Sequence, residues 1–356
     1  MELERIRLEN FRSYTQSEFC FTSAGSLIIG PNGCGKTNLL ESIAYCGIGK
    51  SIRFHRDEDL LCFNKPYFRI SSQFIRDHEN PLNIALSFAD GRKLLKIDEL
   101  PIRQLSSLIN VVKVIYLAPE DLQLISGSPR FRRQYFDLAI AQLYPAYISV
   151  LRDYLHIVEQ RNAMFKRSFT AAEKRSWDAR FAQALAIVLD YRHKYMDIVN
   201  KALKHSFKDV FAMVTELRIA YQSTIRQQTA SVEVILELVA EHEQREKHWQ
   251  RSLIGAHLDD YEFRLSDKPM KLYASQGQRR IAVIILKLIQ ANLIETTTRI
   301  KPILLFDDIF AELDARHTSS IHDCVDKRYQ VFIASPKDDI EQIWKAYPKL
   351  VLGGNS

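Results

Sequence analysis

Gly30-Pro31-Asn32-Gly33-Cys34-Gly35-Lys36-Thr37 decides the fold. The stretch satisfies GxxxxGK[ST] in the setting that motif requires: an apolar run, Ser26–Ile29, enters it, and a helical run, Asn38–Ala44, leaves it. Phosphates need bare backbone N–H donors, and glycines let the chain wrap closely around them. The helix that follows adds the positive end of its dipole. Lys36 is expected to neutralise β- and γ-phosphate charge, and Thr37 to offer its hydroxyl to Mg²⁺. The eight residues therefore predict a nucleotide site.

Working outward, Pro302-Ile-Leu-Leu-Phe-Asp307-Asp308 reads as an apolar strand that ends in two carboxylates. In a phosphate-loop protein the first such acid holds the Mg²⁺ and the next polarises the attacking water, which assigns Asp307 to the metal and Asp308 to the base. Ala274-Ser275-Gln276-Gly277-Gln278 opens a helical run through Ile294. A serine followed by glycine at a helix start can cradle a second phosphate, or it can be an ordinary serine cap. Glu312-Leu-Asp314 is likewise open between function and capping. The ten histidines form no HxH or HExxH pattern, and no GxSxG is present, so no catalytic metal beyond nucleotide-bound Mg²⁺ is expected.

Strand-like segments lie at both ends of the chain: Glu4–Leu8, Glu18–Phe21 and Leu27–Ile29, an alternating stretch over 67–97 with Asp90-Gly91 as a turn, then Ile303–Phe306 and Gln330–Ala334. Between Gly127 and Gly255 there is no glycine, and the prolines there are Pro129 and Pro145. Phe181, Leu185, Val188 and Leu189 recur at helical intervals in that middle. The expectation is an α/β head over 1–120 and 255–356 with an inserted all-helical arm over 121–254; a helical layer over the sheet is the alternative.

Of the 356 residues, 46% are hydrophobic and 26% charged, ordinary globular values that exclude wholesale disorder. Five cysteines without a CxxC pair argue against a disulfide scaffold or zinc ribbon and for a reducing cytosol. The N-terminus is charged throughout, and the most apolar window, Ile281–Ile289, is cut by Lys287, so neither a signal segment nor a membrane partner is expected. The formal net charge is +6, and it is uneven: residues 130–208 carry 15 basic and seven acidic side chains. Arg130, Arg132 and Arg133 form one local cluster, Lys166, Arg167, Lys174 and Arg175 another, and Lys201, Lys204 and Lys208 share one helical face. These, with Lys50 and Arg53 beyond the loop helix, are the candidate contacts to nucleic-acid phosphates; a solvated helix surface is the plain alternative. Aromatic residues do not interleave them, so no platform for single strands is expected.

The set GPNGCGKT, SQGQ, ILLFDD and ELD resembles the ABC/SMC-type ATPase head. The resemblance narrows with Leu8-Glu-Asn-Phe-Arg12, Lys50-Ser-Ile-Arg53, Ala118-Pro-Glu-Asp-Leu-Gln-Leu124, Gly127-Ser-Pro129 with Arg132-Arg133, and Gln160-Arg161-Asn162, which together are similar to the RecF family of bacterial recombination mediators. The family pattern implies that Ser275, Gly277 and Gln278 of one subunit close over the nucleotide of another, with Asp314 at the seam. It implies a weak, DNA-stimulated ATPase whose ATP-bound homodimer sits on double-stranded DNA or ss/dsDNA junctions at gaps and stalled forks. RecO and RecR are the implied partners, RecA loading the implied outcome, and the bacterial cytoplasm and nucleoid the implied location. A transporter ATPase subunit or another SMC-type head is the alternative. The chain departs from the family pattern in ending its acidic strand Asp-Asp rather than Asp-Glu, in Gly255-Ala-His-Leu-Asp-Asp260, and in carrying Ser335 where a γ-phosphate-sensing Thr or His is usual.

Overall fold

A computed structural model of the chain describes all residues except 53–55, 77–80, 105, 206–216, 226–230, 314, 326–327, 336–339 and 354–356. Its strands are β1 (Glu2–Phe11), β2 (Tyr14–Cys20), β3 (Gly25–Ile29), β4 (Tyr67–Ile75), β5 (Leu82–Ala89), β6 (Arg92–Ile97), β7 (Leu100–Ile102), β8 (Val114–Leu117), β9 (Leu217–Gln222), β10 (Asp260–Leu265), β11 (Lys268–Pro269), β12 (Ile303–Asp307), β13 (Val331–Ser335) and β14 (Lys349–Val351). The chain divides into two compact units, Met1–Asp121 with Gln290–Ser356, and Leu122–Ile289.

The first unit holds two sheets. Strands β2-β1-β4-β5-β6-β7 form an antiparallel sheet whose alternation buries one face: Phe68, Ile70 and Phe74 from β4, and Leu82, Ile84, Leu86 and Phe88 from β5. Asp90 (φ 49°) and Gly91 (φ 72°) join β5 to β6 as a two-residue hairpin loop, with both dihedrals on the positive side that such turns demand. Strands β14-β3-β13-β12-β8 form the second sheet, parallel throughout. Its strands are apolar runs buried on both faces, which is why Ile303–Phe306 and Val331–Ala334 show no alternation. Phe68 packs edge to face against both Phe11 and Tyr45 in the core of this unit.

The loop helix spans Lys36–Ile48 and stops where Gly49 turns left-handed and donates its N–H to the Tyr45 carbonyl at 2.8 Å. In the parallel sheet, β3 leads into the phosphate loop and β12 delivers Asp307, with β13 between them. Both loops leave from the carboxyl ends of their strands, where open α/β sheets bind ligands.

The second unit is mainly helical: Pro129–Leu143, Tyr147–Phe165, Ala171–His205 and Val232–Trp249. Ser128 caps the first, with proline at its first position, and Ser231 caps the last. Phe181, Leu185, Val188 and Leu189 are buried, as their spacing predicts. The expectation of an all-helical arm is corrected in one place. Leu217-Arg-Ile-Ala-Tyr-Gln222 is a strand, paired antiparallel with β10 so that Leu217 meets Leu265 and Tyr221 meets Tyr261. Tertiary pairing overrides the absence of glycine and proline there. The unit also continues past the expected boundary at 254, through β10, β11 and the first half of the helix Gln276–Thr298, to Ile289. That helix is long and apolar enough to cross a membrane by length and composition, but 67% of its apolar window is buried inside the protein, as in a core helix.

Candidate nucleotide site

The loop's chemistry begins with what is missing at its helix start. Gly35, at φ 103°, occupies the cap position and has no side chain to take up the first amides, and the first turn contains no acid. A Cβ on Gly35 would lie 2.8 Å from the Tyr14 hydroxyl, so backbone freedom and space both require glycine. Tyr14, the first residue of β2, donates its hydroxyl to the Gly35 carbonyl at 3.1 Å, and burial raises its pKa so that it stays a neutral donor. Asn38 donates to the Ser13 hydroxyl at 2.9 Å, fastening the turn between β1 and β2 to the loop helix.

Lys36 folds over the loop and donates to the Gly30 carbonyl at 2.7 Å and the Pro31 carbonyl at 2.9 Å. An arriving phosphate offers this ammonium a charged acceptor in place of two neutral ones, a stronger bond. Thr37 donates its hydroxyl to Asp307 Oδ1 at 2.9 Å, and Tyr116 donates to Asp307 Oδ2 at 2.7 Å. Asp308 follows in the left-handed region, φ 50°, with its N–H on the Ala334 carbonyl at 2.9 Å. Lys36, Thr37, Asp307 and Asp308 line one open cleft of about 170 Å³. Among the described residues no three His, Cys, Asp or Glu side chains are grouped to hold a metal by themselves. One carboxylate and one hydroxyl, both hard oxygen donors, suit a Mg²⁺ that takes its remaining ligands from phosphates and water. Ser335 is buried at the end of β13, opposite Ile29 in the register.

Arg12 is committed inside the first unit. Its Nε pairs with the buried Glu41 at 3.1 Å and its guanidinium reaches the Asp59 carbonyl. Glu41 also accepts from the Ser51 hydroxyl at 2.5 Å, so the segment after the loop helix is pinned back onto it.

Ser275, Gly277 and Gln278 belong to the second unit. Ser275 accepts the Gln278 N–H at 3.2 Å, while the Gln278 side chain accepts the Ser275 N–H at 2.9 Å, a reciprocal cap on the helix Gln276–Thr298. Ser275 and Gly277 are exposed, and the space where a Gly277 side chain would sit is open. Leu272 and Tyr273, just ahead, are also exposed.

The basic candidates divide. Arg132 is corrected: it is buried, clamps Asp260 through Nε at 2.6 Å and a terminal nitrogen at 2.8 Å, and donates to the Gly127 carbonyl at 2.9 Å. Its charge is spent inside the fold. Arg133 is half-buried and donates to the Asp259 carbonyl at 2.7 Å. Lys174 is also interior, paired with Asp178 and Glu243. Lys201, Lys204 and Lys50 are exposed, whereas Lys208, Arg53 and Asp314 lie outside the described residues. The sequence reading missed Tyr116 and Tyr14, because nothing local marks a tyrosine whose partner is 191 or 21 positions away. Arg7 and Arg69 lie exposed on the open face of the antiparallel sheet, which strand alternation puts opposite the core and beside a hollow of about 400 Å³.

The family model described as RecF/RecN/SMC N terminal domain matches residues 2–347. The DNA replication and repair protein RecF of Halalkalibacterium halodurans is 30% identical, over 95% of this chain and 94% of that protein. The RecF of Oceanobacillus iheyensis is 31% identical, over 94% and 93%. Among solved structures, the ATP complex of the recombination mediator protein RecF of the RecFOR pathway superposes with a TM-score of 0.88, at 24% identity over 95% of this chain and 93% of that one. An Smc head bound to the C-terminal winged-helix domain of ScpA gives 0.52 at 16% identity, covering 96% and 92%. A phosphate loop whose threonine meets the acid of a parallel strand, in a chain matched along nearly its full length, places this protein in the RecF family, within the wider RecF/RecN/SMC group.

Proposed function

We propose that this protein is an ATP-dependent DNA-binding protein of recombinational repair, with ATP hydrolysis as its switch. The observation that carries the reading is the meeting of Thr37 with Asp307 beside Lys36 in one cleft. Gly30–Thr37 would hold the phosphates through backbone amides and Lys36, and Thr37 with Asp307 would hold the Mg²⁺, which supplies neutralisation of the β- and γ-phosphate charge. Asp308 would orient and deprotonate the attacking water. The exposed helix end at Ser275, Gly277 and Gln278 would close on the nucleotide of a second copy, so that ATP makes the homodimer and hydrolysis opens it.

The DNA reading rests on the RecF relatives and on the exposed cations. Lys201, Lys204 and Lys50, with Arg7 and Arg69 on the sheet and the half-buried Arg133, would contact phosphates of double-stranded DNA or of ss/dsDNA junctions without reading bases. Cooperation with RecR and RecO in loading RecA, stimulation of the ATPase by DNA, and residence on the bacterial nucleoid follow from the same kinship. The test is fluorescence anisotropy of labelled duplex DNA with ATP, with ADP and without nucleotide, across a salt series. Lys36→Ala and Ser275→Arg should each abolish ATP-dependent binding, and the wild type should lose about 0.9 in log affinity per log salt for each phosphate contacted. Binding that ignores both nucleotide and Ser275→Arg would eliminate the ATP-closed clamp.

A further inference from the structure

We propose that Tyr116 is a positioning residue for the Mg²⁺-bearing acid: its phenol holds the Asp307 carboxylate in the plane that turns one oxygen towards Thr37. The inference rests on the ATP reading above and deepens it by assigning a role to a residue that lies in none of the nucleotide motifs.

Asp307 is 6% exposed at the end of β12, and Tyr116, equally buried, comes from the neighbouring strand β8, where it pairs in register with Leu305. A carboxylate this buried needs hydrogen-bond donors, since an unsatisfied buried charge is costly. The last torsion of an aspartate is broad and roughly two-fold, so its intrinsic preference does not decide which oxygen faces the nucleotide. Here donors approach from two sides: Thr37 on Oδ1 at 2.9 Å and Tyr116 on Oδ2 at 2.7 Å. The two donors differ in what nucleotide binding asks of them. Thr37 would offer the metal an oxygen lone pair while its O–H goes on donating to Oδ1, so it fixes one oxygen of the carboxylate. Tyr116 points at the other oxygen and can keep its bond throughout. The phenol therefore fixes the second oxygen, and with it the carboxylate plane that a single donor would leave free to turn, and would keep Oδ2 from competing for the metal.

Tyr116→Phe removes the hydroxyl and leaves the ring packing. A fluorescent ATP analogue, titrated with excess EDTA and then with increasing Mg²⁺, separates the metal's contribution from the loop's. The variant should bind the analogue in EDTA as the wild type does and unfold in one transition without nucleotide, at a temperature lowered by the loss of one hydrogen bond to a buried charge. Its half-saturation by Mg²⁺ should rise about ten-fold or more, the range seen when a partner that orients a metal's ligand is removed. In an Asp307→Asn background, Tyr116→Phe should add little, because the charge being oriented is gone. Overlaid Mg²⁺ curves, an equal loss in EDTA, or an undiminished effect in the Asp307→Asn background would each overturn the assignment. A wild type that fails to bind the analogue at all would remove the ATP reading, and this inference with it.

Discussion

The phosphate-loop cleft and the interior of the helical unit both concentrate charge, and they use it in opposite ways. In the cleft, Lys36 and Asp307 rest on short-range, exchangeable partners and face an opening. In the helical unit, Arg161 is fully buried and committed on every side: Nε to Asp178 at 2.8 Å, one terminal nitrogen to Glu246 at 2.6 Å and the other to Ser252 at 2.8 Å. Arg192 is similarly held between Asp137, Asp259 and the Ala256 carbonyl. A charge that is to act must retain somewhere to go. A charge that is to specify packing must have nowhere.

The largest effect should come from the cleft. Asp308→Asn should lower ATP turnover by about 10²–10⁴-fold, the share of a positioned general base, with affinity for a fluorescent ATP analogue unchanged. Phosphate-release kinetics on the purified variant check it, and turnover near wild type would strip Asp308 of the base role. Next comes the interior. Arg161→Ala leaves Glu246 as a buried charge without its cation and Asp178 with Lys174 alone, and should cost about 3–5 kcal/mol in urea unfolding. Arg152→Ala, which breaks an exposed pair with Asp153, should leave the curve unmoved. If the two behaved alike, the contrast between working and packing charges would fail.

The smallest effect sharpens the comparison through pH. His257 sits against the Tyr154 hydroxyl at 2.8 Å, and burial first, then the nearby arginines 133, 192 and 161, push its pKa down to about 4. The unfolded imidazole, at 6.5, binds the proton more readily than the folded one. The stabilisation is therefore fully present above 6.5 and is lost as pH falls through about 4. Its full span is about 3 kcal/mol. Melting temperatures measured from pH 7 to pH 4 should fall less steeply in His257→Asn; parallel curves would show that the imidazole does not titrate in this window.

The head was largely legible because its signals are local. Eight consecutive residues specify the loop, and the runs around it specify strand and helix. The strand ending at Asp307 is equally self-contained. What sequence could not show depends on distant partners. Tyr116 becomes informative only when β8 pairs with β12. Arg132 looked like a surface cation until Asp260, 128 positions away, closed on it. The strand Leu217–Gln222 did carry a signal, the alternation of Leu217, Ile219 and Tyr221, but it was hidden in a glycine-free stretch that favoured helix. The Gln160-Arg161-Asn162 motif carried family kinship, and the structure gives its physical content: Arg161 anchors the acids, and Asn162 accepts the Ser252 N–H at 2.7 Å.

The pairing of β9 with β10 also governs how the molecule can be taken apart. A fragment cut at Ile254, where glycine spacing suggests a seam, would keep Leu217–Gln222 and discard Asp260–Leu265, the strand that occupies its edge. Such a piece would present a bare row of amides and carbonyls, the template on which chains associate edge to edge. A fragment extended past Pro269 carries β10 and β11 with it. The natural unit of exchange in this protein is thus not the stretch between two glycines but a helical bundle together with the hairpin that seals it.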